Sequence, residues 1–344
     1  MRHFLLFISL IFCALLFSVF SKNKNEAMLD SRPLVRVFGP SSFVSRWGAG
    51  PAIKEEFEKI CNCKVEWLDS GDINLLLQRL RVEGAQVGAD LVLGLDQYDL
   101  EKAGQQFEWK RIELDPVSWV QEISNSARRF NFYAYDWGIM SMVVRKSETP
   151  KLPTSIDDFL LPEFAGKISL PDPRTSTPGL EFLLWLIQIK GEEAAFQFIK
   201  KLEPQILAYS PNWSTSYGIF SRGQARATFS YSTSPIYHLI EEKNNDIVAV
   251  EVKEQHPIQI EYFGIPVTCR NCDLSVKLAS FLLSPQGQKI VMERNYMLPV
   301  VNGVKEGTPF STAPAFSILS SNVIPGLSER ERILKRWADL RKAN

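Results

Sequence analysis

The feature that most constrains this chain is the alternation of short apolar runs with helical patterns. Leu34-Val35-Arg36-Val37-Phe38 reads as a strand, and Gly39-Pro40-Ser41-Ser42 turns it. From about Pro51, the residues Ile53, Phe57 and Ile60 recur at helical spacing. Cys63 to Leu68 predicts a second strand, Ile73 to Arg81 a second helix, and Leu91-Val92-Leu93-Gly94-Leu95 a strand buried on both faces. Strand followed by helix, repeated, argues a parallel α/β sheet. The pattern resumes after Pro150-Lys151-Leu152-Pro153. Strands are expected at 166–170, 227–232 and 247–252 with helices between them, and a return strand at Ile258 to Val267. Residues 274–293 read as helical, and Leu327 to Lys342 is a last amphipathic helix with Ile333, Leu334, Trp337 and Leu340 on one face. Two α/β lobes crossed more than once by the chain imply a cleft between them, where strand C-termini and helix N-termini converge.

Composition narrows the partners. In 344 residues, 39 Lys+Arg balance 39 Asp+Glu. That balance argues against nucleic acid as a partner, which would demand a basic excess. Arg2 followed by the apolar run Phe4 to Phe20 reads as an export signal, with a single membrane anchor as the other reading. The expected organisation is a signal at 1–21, a flexible lead-in at 22–33, a first lobe at 34–139, a second lobe at 140–262, and a return of the first lobe with C-terminal helices at 263–344. Cys61, Cys63, Cys269 and Cys272 remain after the signal. They suit disulfides in an oxidising compartment, either local at Cys269–Cys272 or crossing between the pairs, and a four-cysteine zinc site is the alternative. A Cys61–Cys63 bridge would close a cramped ring.

Chemistry concentrates at two strand-to-helix junctions. Asp172-Pro173-Arg174-Thr175-Ser176-Thr177-Pro178-Gly179 opens an apolar helix, with Thr177 suited to N-cap and Pro178 to the first helical position. Free amides and the Ser176 and Thr177 hydroxyls make an anion site or simply a capped helix. Ser230-Tyr231-Ser232-Thr233-Ser234-Pro235 is the second junction, with Trp213, Tyr217 and Tyr237 near it. These aromatics are either core or a stacking platform for a flat or cationic ligand. Asp136, in Tyr135-Asp136-Trp137-Gly138 at the crossover between lobes, is a hinge hydrogen-bond partner or a countercharge for a cation. The motifs of hydrolases, metalloproteases, nucleotide-binding loops and dinucleotide folds are missing from the sequence. The pattern is that of a binder rather than an enzyme.

The runs Ser169 to Trp185, Trp213 to Gly218 and Ser230 to His238 closely resemble the periplasmic thiamine-binding proteins of bacterial ABC transporters. Arg46 to Pro51, Cys61-Asn62-Cys63, Leu77 to Gly84 and Ala89 to Asp96 extend the resemblance over about 34–300. It implies a two-lobed periplasmic-binding-protein (venus-flytrap, type II) fold with a hinge between two α/β domains. It also implies a monomer that holds thiamine or a thiamine phosphate as ligand, with no cofactor, and delivers it to a membrane permease and its ATPase. The ligand contacts implied are Asp72 and Ile73, Ser176 and Thr177, Trp213, and Tyr231, Ser232, Thr233 and Ser234, with Tyr237 and Tyr296 as further aromatics. In this assignment Asp72 binds the aminopyrimidine, Tyr231, Trp213 and Tyr296 stack, and Ser176 and Thr177 hold the phosphate end. Two positions depart from the family: Pro40-Ser41 stands where it carries Tyr-Asp, and Tyr296 stands for a tryptophan. Losing such aromatic contacts weakens a cation's binding roughly tenfold or retunes it. The rival readings are a site for ferric iron or another cationic heterocycle, a membrane-tethered sensor, and an exported thiamine-degrading enzyme.

Overall fold

The computed structural model describes residues 31–71, 73–319 and 324–342. The expected export signal, all of the lead-in before residue 31, and Asp72 lie outside the described residues.

One strand organises the rest. Phe132–Arg145 is 14 residues long and buried at all but its last position, as expected of a strand covered on both faces. Its first half pairs antiparallel with Ile258–Gly264, which pairs antiparallel with Leu91–Asp96. Leu34–Gly39 and Lys64–Asp69 extend that side in parallel. Its second half pairs antiparallel with Ala227–Tyr231 and Ile247–Ala249. Beyond Ala227–Tyr231 lie Ile168–Pro171 and Ile206–Ser210, again in parallel. The sheet is therefore mixed, parallel on both flanks and antiparallel in the middle, where alternation alone predicts parallel pairing throughout. The strand Ile206–Ser210 escaped sequence analysis because it is short and half-exposed.

Two cores hang on this shared strand. Phe132 through Ile139 pack with Val37, Phe57, Leu91 and Leu278. Met140, Met142 and Val144 pack with Phe182, Trp185, Phe196 and Phe229. The fold is thus two-lobed, with a continuous strand as its hinge. Residues 258–262, grouped above with the second lobe, pair between two strands of the first. The C-terminal helix Leu327–Lys342, assigned above to the first lobe, instead buries Ile333 and Trp337 in the second core. An amphipathic stripe specifies that a face is covered, and does not say by which lobe.

Local chemistry explains the smaller features. The helical stretch expected at 274–293 is two helices, Cys272–Leu282 and Pro285–Asn295. Pro285 cannot continue a helix but suits the first position of the next, where Ser284 caps by accepting from the Gly287 amide. Both cysteine pairs are joined locally, Cys61 to Cys63 and Cys269 to Cys272, with Cα atoms 5.1 and 5.2 Å apart. The ring expected to be cramped forms, with Asn62 in the left-handed region at φ 48° between its two cysteines. Among the described residues no helix is long and apolar enough to cross a membrane.

Candidate functional site

A cleft of about 880 Å³ opens between the lobes. The first lobe lines it with Pro40, Ser41, Gly71 and Ile73, the second with Arg174, Ser176, Thr177 and Asn212, and the C-terminal helix with Leu327, Arg330 and Leu334. Sequence reasoning missed the helix as a wall. Arg330 is only 5% exposed; it donates to the carbonyls of Pro325 and Tyr98 and stands 3.9 Å from Glu101, on a helix of the first lobe. A helix rooted in one lobe thereby reaches the other.

The start of the helix Thr177–Lys190 differs in detail from expectation. Ser176, not Thr177, holds the N-cap position in extended geometry, and its side chain makes no capping bond. Across the cleft, the Thr177 hydroxyl lowers the pKa of the Asp96 carboxyl, against the larger rise that burial causes. Ser41, at one of the departures from the family pattern, donates to both oxygens of Asp69 at 2.8 and 2.7 Å. Arg174 is committed to Asp172, with Nη2 to Oδ2 at 2.7 Å.

The other expected residues gather around the hinge. Tyr231 is 9% exposed and lies over Gly138, where an added Cβ would stand 2.7 Å from its ring. This close approach demands glycine in the long strand. Trp213 donates its indole N–H to Ser230 Oγ at 3.0 Å. It stacks on Tyr217 at 5.0 Å and tilts against Tyr231 at 5.8 Å. Ser234 Oγ is 2.8 Å from Ser230 Oγ, and the amide of Ser232 donates to the carbonyl of Ile139. Thr233 donates to the carbonyl of Tyr296. Tyr296 meets Tyr237 edge to face at 5.1 Å and donates its hydroxyl to Glu241 at 2.6 Å. Asp136 is fully buried and accepts from Asn295 Nδ2 at 2.7 Å.

The twelve expected residues therefore form two groups, apart from Asp72, which lies outside the described residues. Ile73, Ser176 and Thr177 line the cleft, while Asp136, Trp213, Tyr231 to Ser234, Tyr237 and Tyr296 surround the joint. Acids that sequence reasoning left out bridge the groups: Asp96 and Glu181 are buried and Glu261 is half-buried. Asp96 stands in register opposite Glu261, and Glu261 opposite Asp136. Glu181, on the helix that Thr177 begins, accepts from Gln97 Nε2 at 3.2 Å. Burial raises all of them. Glu181 is pushed up to about 8 and Glu261 to about 7; Asp96 and Asp136 also rise, the latter further through the charge of Glu261. One signal was available for Glu181: it is a lone acid inside the apolar run Leu180 to Ile187.

A hinged pair of α/β lobes with a polar cleft is the architecture of solute capture. The family described as bacterial extracellular solute-binding protein matches residues 52–318, and this chain belongs to it. Within it, the chain is 35% identical over 285 residues to the thiamine-binding periplasmic protein of Brucella melitensis biotype 1, covering 83% of this chain and 84% of that protein. The Escherichia coli K12 thiamine-binding periplasmic protein is 33% identical over 278 residues, covering 80% and 84%. A solved periplasmic thiamin binding protein superposes with a TM-score of 0.79 at 30% identity, covering 90% of this chain and 96% of that one.

Proposed function

We propose that this protein is an extracytoplasmic solute-binding protein that captures thiamine and its phosphate esters and hands them to an ABC permease and its ATPase. The observation that carries the reading is an interlobe cleft lined by the helix start at Ser176 and Thr177 and by Asn212, in a chain about a third identical to thiamine-binding relatives. Toward Ser176 and Asn212 the cleft offers hydroxyl, amide and helix-start donors, which suit a hydroxyl or phosphate. At the joint, behind the residues that line the cleft, aromatic rings and carboxylates suit a flat heterocycle with positive charge once the lobes rearrange to admit it. Trp213 and Tyr231 supply ring faces, Asp72 meets the aminopyrimidine, Asp136 is the countercharge to the thiazolium, and Tyr237 and Tyr296 close the aromatic side. Closing the lobes about Phe132–Arg145 changes the surface offered to the permease. The protein acts outside the cytoplasm, as a monomer, and does not transform its cargo.

Titration calorimetry of the full chain with thiamine, thiamine monophosphate and ferric ion tests the reading. Tight binding of the first two and none of the third is expected. Substituting Trp213→Ala and Tyr231→Ala together should weaken thiamine binding at least tenfold, since each ring contact contributes about 0.5–2 kcal/mol. Unchanged affinity in that double variant refutes the site, and breakdown products after incubation with thiamine refute the non-enzymatic role.

A further inference from the structure

Three carboxylates stand side by side at the hinge. Asp96, Glu261 and Asp136 are direct cross-strand neighbours on three adjacent strands. Asp96 and Asp136 are 3% and 0% exposed. Glu181, 2% exposed, adds a fourth acid from the second lobe. Like charges directly opposite in a sheet destabilise it, and burial raises the cost. The neighbouring cations do not relieve it. Arg174 is bound to Asp172, and Arg330 serves the Tyr98 carbonyl with Glu101 3.9 Å away. Among the described residues, no Lys or Arg forms an ion pair with Asp96, Asp136, Glu181 or Glu261.

A second observation points to something that belongs there. Asp136 Oδ1 is buried without a hydrogen-bond partner, and so is the side-chain oxygen of Gln259. Gln259 is 4% exposed and its Nε2 is 3.4 Å from Glu261 Oε1. Acceptors thus outnumber donors at the joint. Such a surplus of acceptors beside the aromatic rings of Tyr135 and Tyr231 suits an organic cation with spread charge.

We propose that the Asp96–Glu261–Asp136 row, completed by Glu181, is a charge-reading element set behind the wall of the cleft, two residues from the lining residue Tyr98 at its Asp96 end. It favours an organic cation over a neutral ring of similar shape, and the arriving positive charge displaces protons that the row holds when empty. The proposal rests on the thiamine reading and adds what selects the cation. The protons leave to solvent, and no bond is made or broken beyond them. The elevated positions of Glu181 and Glu261 put both within reach of neutral pH. Their titratable neighbours Tyr98, Tyr135 and Tyr231 are raised by burial and stay neutral there. Asp99 is raised too, by burial and by the charge of Asp96, and Lys102 opposes that rise. A cation favours the ionised carboxylates, so binding releases protons and affinity climbs with pH until the row is ionised.

Calorimetry at pH 7 in two buffers of different ionisation enthalpy, on the full chain, reads the protons directly. The probes are thiamine and the neutral 4-amino-5-hydroxymethyl-2-methylpyrimidine, which lacks the thiazolium. Thiamine is expected to release on the order of half a proton, and to bind several-fold tighter at pH 8 than at pH 6. The pyrimidine should release none. Glu261→Gln and Asp136→Asn should each lower thiamine affinity about tenfold, the equivalent of one pKa unit, without lowering affinity for the pyrimidine. If thiamine binds the parent chain with no proton release, the row is structural and the proposal falls while the function stands; this measurement needs no variant to fold. If folded variants bind thiamine as the parent does, the proposal falls in the same way. If the parent chain binds no thiamine at all, the functional reading fails first and takes the proposal with it.

Discussion

Replacing Glu181 with Gln tests the central electrostatic claim without any ligand. Glu181 is 2% exposed, sits on the helix Thr177–Lys190, and is held by Gln97. Glutamine keeps a carbonyl acceptor of the same size in that place, so no cavity opens. Burial raises the Glu181 carboxyl from 4.5 to about 8. A group raised on folding keeps its proton in the folded chain and loses it in the unfolded one. The resulting penalty is absent below pH 4.5, grows as pH rises, and is complete above the folded value. At about 1.4 kcal/mol per unit, the difference between pH 5 and pH 8 is about 3–4 kcal/mol. The Gln variant should therefore match its parent near pH 5 and surpass it at pH 8. For a chain of this size the melting temperatures should part by roughly 5–10 °C. Thermal unfolding followed by circular dichroism at pH 5, 6, 7 and 8, with the disulfides intact, measures this. Melting curves that stay parallel across that range would refute the reasoning.

Other expectations follow from packing and titration. Trp337 is 2% exposed and meets Tyr209 edge-on at 5.4 Å, so Trp337→Ala should cost about 3–5 kcal/mol in urea unfolding; a loss below about 1 kcal/mol would detach the C-terminal helix from the second core. At Gly264 an added Cβ would stand 2.7 Å from the Phe132 ring and 2.8 Å from Trp109. Gly264→Ala should therefore destabilise by about 1–3 kcal/mol, and an unchanged denaturation midpoint would contradict that packing. His256 is buried, accepts from the Val252 amide and faces the carbonyl of Met140, and burial lowers its pKa from 6.5. Its contribution is complete above pH 6.5 and is lost as acid carries the pH down through the lowered folded value. A His256→Gln variant should flatten the acid limb of the stability curve, and an acid limb of unaltered slope would exclude the histidine.

Local order decided the elements. Buried strands such as Leu91–Asp96, and helices such as Ala49–Cys61 with its apolar spacing, were legible because their cause lies within a dozen residues. The helix start at Ser176–Thr177 and the hydroxyl-rich junction at Tyr231–Ser234 were legible for the same reason, and both stand at lobe boundaries. The pairing of Asp96 with Glu261, and of Glu261 with Asp136, could not be read that way. It joins residues more than a hundred positions apart, and register comes from the whole sheet closing on its core. The same holds for the helix Leu327–Lys342. Its stripe announced burial, but which lobe it covers, and that Arg330 would reach Tyr98, depended on where the chain had already gone. Propensity and periodicity act between neighbours along the chain, whereas a cleft is made by segments that meet only after folding.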